Sequence, residues 1–377
     1  MCGVFVSQPP TVLMPDGRHV QWITEDGVSC PVSVQCVDDS LSAKRAVQYL
    51  RDGVFLVWTG DFHHARSLLK AIQRRIRPRE DGVKKDITTR WLGHRARHSQ
   101  LAEITGRFLL LIEPDGSLAN GRAPKTRQAV QWAWGLSTCA RLVPYRTLMG
   151  AMGAAGWRRA GLSVEGLSGS ITPHYGVFAP TRDRYVSLLN VWGSFDGCRV
   201  LDVGCGTGVL SFVLLQRGAS FAVGTDMEPR SVACATENAL NLGFSERFTA
   251  IQADLFPPGE RFDRILFNAP WVPVAPATRL DRAVFDEGGK TLCRWLEGVS
   301  ERLNPLGEAG LILSDLPERL GLRTADWLQE KIRSSGLRIV GEHSLAARHG
   351  KSTNRDDPFY EVRKDEQIYL YRLAPQE

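Results

Sequence analysis

The chain predicts an α/β protein: a doubly wound, mostly parallel sheet in its second half, preceded by an N-terminal α+β domain. Three observations carry this. From residue 199 onward, short β-rich apolar runs alternate with helical segments. The first run ends in a triplet of closely spaced glycines. Composition changes near residues 165–172, after a stretch holding Gly150, Gly153, Gly156, Gly161, Gly166 and Gly169. We therefore expect an auxiliary domain over 1–168 and a second domain over 169–377.

In the first half, Val54–Trp58 reads as a buried strand and Thr59-Gly60-Asp61 as a turn with an N-cap. A helix follows, with Ala65, Leu68, Leu69 and Ile72 on one face and Arg66, Lys70 and Arg74 largely off it. His63 and His64 are adjacent and point apart, which argues against a shared metal. Residues 78–106 are polar and give no periodicity. Phe108–Glu113 is a strand closed by Pro114-Asp115-Gly116, and Leu148–Trp157 is helical.

The second half reads strand by strand. Strands are expected at Arg199–Val203, Phe221–Thr225, Phe248–Gln252, Phe262–Asn268 and Ala309–Ser314. Helices are expected at Val209–Arg217, Ser231–Leu242, Thr291–Leu303 and Thr324–Ser335. Leu337–Ser344 and Gln367–Leu373 complete a seven-stranded sheet, antiparallel at one edge.

The 377 residues are 43% hydrophobic and 23% charged, with a net charge of +6. That excludes a mainly disordered chain. No apolar run reaches the length of a membrane span, and the first residues lack a secretory signal pattern. Eight cysteines, none in a Cys-x-x-Cys pair, read as reduced thiols in a cytoplasmic protein and offer no metal-ligand spacing. Charge is uneven. Residues 1–170 hold 23 Lys and Arg against 14 Asp and Glu, whereas 171–377 hold 24 against 27. The excess is densest at 61–100, through Arg66, Lys70, Arg74, Arg75, Arg77, Arg79, Lys84, Lys85, Arg90, Arg95 and Arg97. Such a patch attracts phosphate backbones, which makes RNA an expected partner; it is equally the pattern of a solvated helix face.

The sharpest signal is Asp202-Val203-Gly204-Cys205-Gly206-Thr207-Gly208. The glycines let the backbone turn tightly and approach a ligand. Asp202, Asp226 and Asp254 each stand at or just beyond a strand end, around one crevice. A dinucleotide loop would read Gly-x-Gly-x-x-Gly. Here the spacing is Gly-x-Gly-x-Gly, and an acid precedes it. A pyrophosphate would be repelled there, whereas an ammonium-bearing sulfonium would not. The constellation resembles the class I S-adenosylmethionine-dependent methyltransferases, whose sheet is Rossmann-like with an antiparallel last strand. The resemblance covers about 175–377. It implies S-adenosyl-L-methionine as cofactor. The implied contacts are Asp202, Gly204, Cys205, Gly206 and Gly208 at the methionine part, Asp226 at the ribose, Met227 beside the adenine, Asp254 with Leu255 at its amine, and Asn268.

Asn268-Ala269-Pro270-Trp271 follows the fourth strand. It resembles the Asn-Pro-Pro-Tyr motif of HemK-like and nucleobase methyltransferases, which act on planar nitrogens. The Asn268 side-chain oxygen and the Ala269 carbonyl can accept hydrogens from an –NH2 group, and Trp271 can stack on it. Catalysis is then mainly orientation. Two departures stand out: Ala269 replaces a proline and Trp271 replaces a tyrosine. The segment His174–Arg182 resembles a lid over the cofactor pocket in the same families, with Tyr175, Phe178 and Thr181 as liners; junction packing is the alternative. Ala283–Gly289 resembles a loop that bends over the acceptor there. Three acceptors follow: a nucleobase in (ribosomal) RNA, a protein glutamine amide, or a small molecule.

Overall fold

The computed structural model describes residues 9–25, 27–76 and 86–376. They form two compact units: Met1–Gly156 with Ala277–Arg279, and Trp157–Pro276 with Leu280–Glu377.

The first unit is built on a six-stranded mixed sheet of order β1-β2-β6-β5-β4-β3. Its strands are β1 (Thr11–Leu13), β2 (His19–Trp22), β3 (Val34–Val37), β4 (Phe55–Trp58), β5 (Phe108–Ile112) and β6 (Arg141–Pro144). β3, β4 and β5 run parallel, joined by α1 (Ala43–Arg51), then by α2 (Phe62–Ile76) and α3 (Ile87–Thr105). α4 (Arg127–Trp134) and α5 (Tyr145–Ala160), the last turn of which is counted with the second unit, complete the helices. The α2 face carrying Phe62, Ala65, Leu68, Leu69, Ile72 and Ile76 is buried against Trp58, Phe108 and Leu110, which leaves Arg66, Lys70, Arg74 and Arg75 exposed. The region without sequence periodicity contains α3. Only Trp91, Ile104 and Thr105 of its 19 residues are buried, so no apolar stripe marks it. Arg77, Arg79, Lys84 and Lys85 lie outside the described residues.

The second unit opens with a short hairpin, β7 (Leu162–Ser163) and β8 (Ser170–Ile171). Val164, Leu167 and Ile171 pack with Phe212 and Phe244, so residues 157–168 belong with this unit and the division falls at Gly156 rather than 168. A seven-stranded sheet follows: β9 (Arg199–Val203), β10 (Phe221–Asp226), β11 (Phe248–Gln252), β12 (Phe262–Asn268), β13 (Leu303–Ser314), β14 (Leu337–Ala346) and β15 (Gln367–Pro375), in the order β11-β10-β9-β12-β13-β15-β14. β15 is inserted antiparallel between β13 and β14, so the antiparallel strand is one place in from the edge. The rest is the doubly wound order that reverses at β9 and opens a crevice at the strands' carboxyl ends. Helices α6 (Val209–Gln216), α7 (Pro229–Asn241), α8 (Lys290–Val299), α9 (Leu316–Arg319) and α10 (Trp327–Ser334) accompany the strands. α8 stops at Val299, short of the expected Leu303, because Leu303 already pairs with Phe262 as the start of β13. Among the described residues, no helix is long and apolar enough to cross a membrane.

Candidate active site

The glycine loop begins at the carboxyl end of β9. Gly204 and Gly206 adopt left-handed backbone angles, φ 67° and 54°. A methyl group added at Gly206 would meet nothing within 4 Å, so the loop opens onto free space. Gly208 has a different reason to be glycine. A Cβ there would lie 2.5 Å from the Phe212 ring, at the start of α6. The Cys205 side chain is buried with the core, so only its backbone belongs to the loop surface.

Two acids flank the loop. Asp202 is 1% exposed, and its Oδ2 accepts from Ser211 N (3.1 Å) and Ser211 Oγ (2.8 Å). Burial pushes its carboxyl up to about 7. Asp226 ends β10. Its Oδ2 accepts from Gly206 N at 3.0 Å and its Oδ1 from Glu228 N at 2.9 Å. Burial raises its pKa despite these donors. Desolvated acids flanking an open glycine cradle suit a ligand that brings its own ammonium and hydroxyl groups. Met227, beside Asp226, is 52% exposed and offers an apolar edge. The donor set and the open cradle fit S-adenosyl-L-methionine.

Asp254 stands differently. It is solvent-exposed and ion-paired with Arg294 of α8 at 2.7 Å, so any contact to an adenine amine shares this carboxylate with a cation. Leu255 is buried at φ 70°, its carbonyl held by Thr225 Oγ1 at 2.6 Å.

Asn268 ends β12, next to β9. Its Oδ1 accepts the indole N–H of half-buried Trp271 at 3.1 Å, an interaction the sequence reading did not anticipate. Ala269 is buried in the core, and Pro270 is half-buried. Val272 exchanges backbone hydrogen bonds with Val284 and Asp286, which ties the motif to the following loop. Asp286 then holds the N-terminus of α8 through Thr291 N and Leu292 N.

Upstream, Tyr175 lies under the Arg230 guanidinium (5.6 Å to the ring), while Phe178 and Thr181 are exposed. Asn238 of α7, fully buried, links this segment to the loop. Its Oδ1 accepts from Thr172 N at 2.8 Å, and its Nδ2 donates to Thr207 O at 3.1 Å. The sequence reading missed it. The available signal was a polar residue in register with Ser231, Cys234 and Ala235 on the buried stripe of α7. No group of three or more metal-ligating side chains occurs among the described residues.

Comparison with known proteins decides the class. Residues 194–334 match the family model described as a methyltransferase domain. The chain is 30% identical over 166 residues to a Methanocaldococcus jannaschii protein provisionally named as a protein N5-glutamine methyltransferase, covering 41% of this chain and 80% of that one.

The chain belongs to the class I S-adenosylmethionine-dependent methyltransferases.

Further relatives of this methyltransferase differ in their named substrates. It is 39% identical over 100 residues to a ribosomal protein L11 methyltransferase of Ectopseudomonas mendocina (26% of this chain, 33% of that one). It is 28% identical over 137 residues to a tRNA1(Val) (adenine(37)-N6)-methyltransferase of Shewanella loihica (33% and 56%). The chain thus spans about a third to a half of the length of these two relatives.

Proposed function

We propose that this methyltransferase acts on a planar amino nitrogen of a nucleobase in RNA. The observation that carries the reading is the placement of Asn268 and Trp271 at the carboxyl end of β12, beside the Gly204–Gly208 loop. Bound at that loop, S-adenosylmethionine supplies an activated methyl group on a cationic sulfur. Asp226 holds the ribose end and Asp202 lies behind the loop. The Asn268 carboxamide oxygen keeps a second lone pair beyond its bond to Trp271. That lone pair and the Ala269 carbonyl accept the two hydrogens of an –NH2 group. The nitrogen lone pair is then aimed at the methyl, and proximity does most of the work. Trp271, its indole edge fixed, presents a flat wall to a base. The exposed face of α2, with Arg66, Lys70, Arg74 and Arg75, supports an RNA acceptor.

A glutamine amide of a protein has the same planar –NH2 group, and the relationship to the M. jannaschii protein favours it as the second reading. Labelled methyl transfer by the full chain into fractionated lysate separates them. Label released by nuclease and not by protease is expected. Label released only by protease contradicts the RNA acceptor, and label surviving both as a low-mass species points to a small molecule.

A further inference from the structure

The acceptor motif and the ribose acid stand on opposite sides of the glycine loop, and strand register sets them level. Phe267 of β12 and Thr225 of β10 both pair with Val203 of β9. The next residue on each strand is Asn268, Asp226 and Gly204 respectively. Asn268 and Asp226 are therefore two strand spacings apart, about 10 Å, with the start of the loop between them.

A side-chain contact joins the two sides. Beyond Trp271 the chain leaves the sheet and comes back to Val272 at residues 284–286. Val272 N donates to Val284 O at 2.9 Å, and Asp286 N donates to Val272 O at 2.9 Å. Just before this return, Leu280–Ala283 forms a short 3-10 turn. Arg282 of that turn donates from Nη1 to Glu228 Oε1 at 3.3 Å. Glu228 is the residue that opens α7, two places past Asp226, and its own N–H is given to Asp226 Oδ1 at 2.9 Å. Among the described residues, Arg282 and Glu228 have no other ion-pair partner.

Four hydrogen bonds thus lead from the ribose acid to the acceptor motif. They are Glu228 to Asp226, Arg282 to Glu228, Val272 to Val284, and Trp271 to Asn268. The Arg282–Glu228 side chains are 51% and 26% exposed, so their pair adds little to the stability of the fold. What the pair does is fix where the loop lies. Lys290 and Glu287, at the far end of the same loop, make an ion pair three residues apart that a helix start allows anywhere. Arg282 and Glu228 are 54 residues apart, and only the packing of the two strand ends brings them together.

We propose that Arg282 and Glu228 are positioning residues for methyl transfer, coupling occupation of the cofactor cradle to the placement of Asn268 and Trp271. The proposal rests on the reading of Asp226 and Asn268 given above. A ligand held by Asp226 steadies the 226–228 turn. Glu228 then holds Arg282, and the turn carrying Arg282 keeps Val284 against Val272, beside the acceptor motif.

The test follows hydrogen exchange of the full chain at the Val272 and Asp286 amides, with and without S-adenosylmethionine. Calorimetry on the same proteins records cofactor binding. In the wild type, binding is expected to slow exchange at both amides. Arg282→Gln and Glu228→Gln should each reduce that slowing about two- to fivefold, the scale of one exposed ion pair. The double variant should lose no more than either alone, and Lys290→Gln should lose nothing. A merely structural role would speed exchange equally in the free and bound protein and leave their ratio unchanged. An unchanged ratio in both Gln variants, additive losses in the double variant, or the same loss in Lys290→Gln overturns the proposal. Binding without slowing in the wild type overturns it alone, whereas no binding overturns the cofactor reading with it. Exchange needs no acceptor, so failure of the acceptor reading shows separately, as undiminished methyl transfer by Asn268→Ala.

Discussion

Each unit places an acid near the end of a parallel strand, just before or just after a turn into a helix, and treats it oppositely. In the first unit, Asp61 follows β4. It accepts Arg122 Nε and Nη2 at 2.7 and 2.8 Å and the backbone N–H groups of His63 and His64 at the start of α2. These donors, Arg122 first, hold its carboxyl down at about 2. Asp39 beside it accepts from Asp61 N and lies 2.6 Å from His64 Nδ1. In the second unit, Asp202 and Asp226 flank a loop with an open glycine cradle, and burial raises both. A strand-end acid that the protein fully partners closes an edge. One that is desolvated beside an open glycine cradle awaits a ligand.

That contrast can be broken at both ends. The largest effect is expected at the acceptor. Asn268→Ala should cut methyl transfer on the order of 10³-fold, the scale of losing one positioned polar group at a reacting centre, with cofactor affinity within twofold. Full transfer in that variant, measured with labelled cofactor, would remove Asn268 from the site.

Next comes Asp202. Its carboxyl titrates near 7 in the free protein. Below that pH a proton stands where the cofactor's ammonium group is favoured, so affinity should weaken by up to about tenfold per pH unit on the acid side. Because the folded pKa is raised, the free protein binds more protons than the unfolded chain between about pH 4 and 7, and its stability should fall as pH rises through that window. Asp202→Asn should flatten both profiles. Calorimetric titrations across pH check the first, and chemical unfolding at each pH checks the second.

The smallest effect separates the two units. Asp61→Asn should lower the unfolding midpoint by loosening Arg122 and the start of α2, while cofactor affinity stays as in the wild type. A large loss of affinity would mean that the first unit's edge serves the cofactor as well.

The legible parts of the molecule share one physical property. β9, β10, β12 and the end of β13 are buried on both faces, so they read as continuous apolar runs, and the glycine loop is local in sequence. The first unit's strands are three to five residues long, and β3 is nowhere buried, so β1, β2, β3 and β6 left no pattern to read. α3 was missed because its faces are nearly alike. At the site, Asp202, Asp226 and Asn268 stood out because strand ends are predictable. The Arg294–Asp254 pair spans 40 residues, and the Asn238 bridges span 66 and 31. Contacts of that range depend on how elements pack, which periodicity does not encode. The Trp271–Asn268 bond is local, yet it depends on a side-chain rotamer that residue order does not specify.

The central claim is that the cofactor lies across the Gly204–Gly208 bend with its ribose on Asp226. Calorimetric titration of S-adenosylmethionine into the wild type and Asp226→Ala tests it most directly. We expect one site per chain in the wild type and a loss of about 100-fold in the variant, near 3 kcal/mol for charged hydrogen bonds removed from a buried carboxylate. Equal affinity in the two proteins would contradict it.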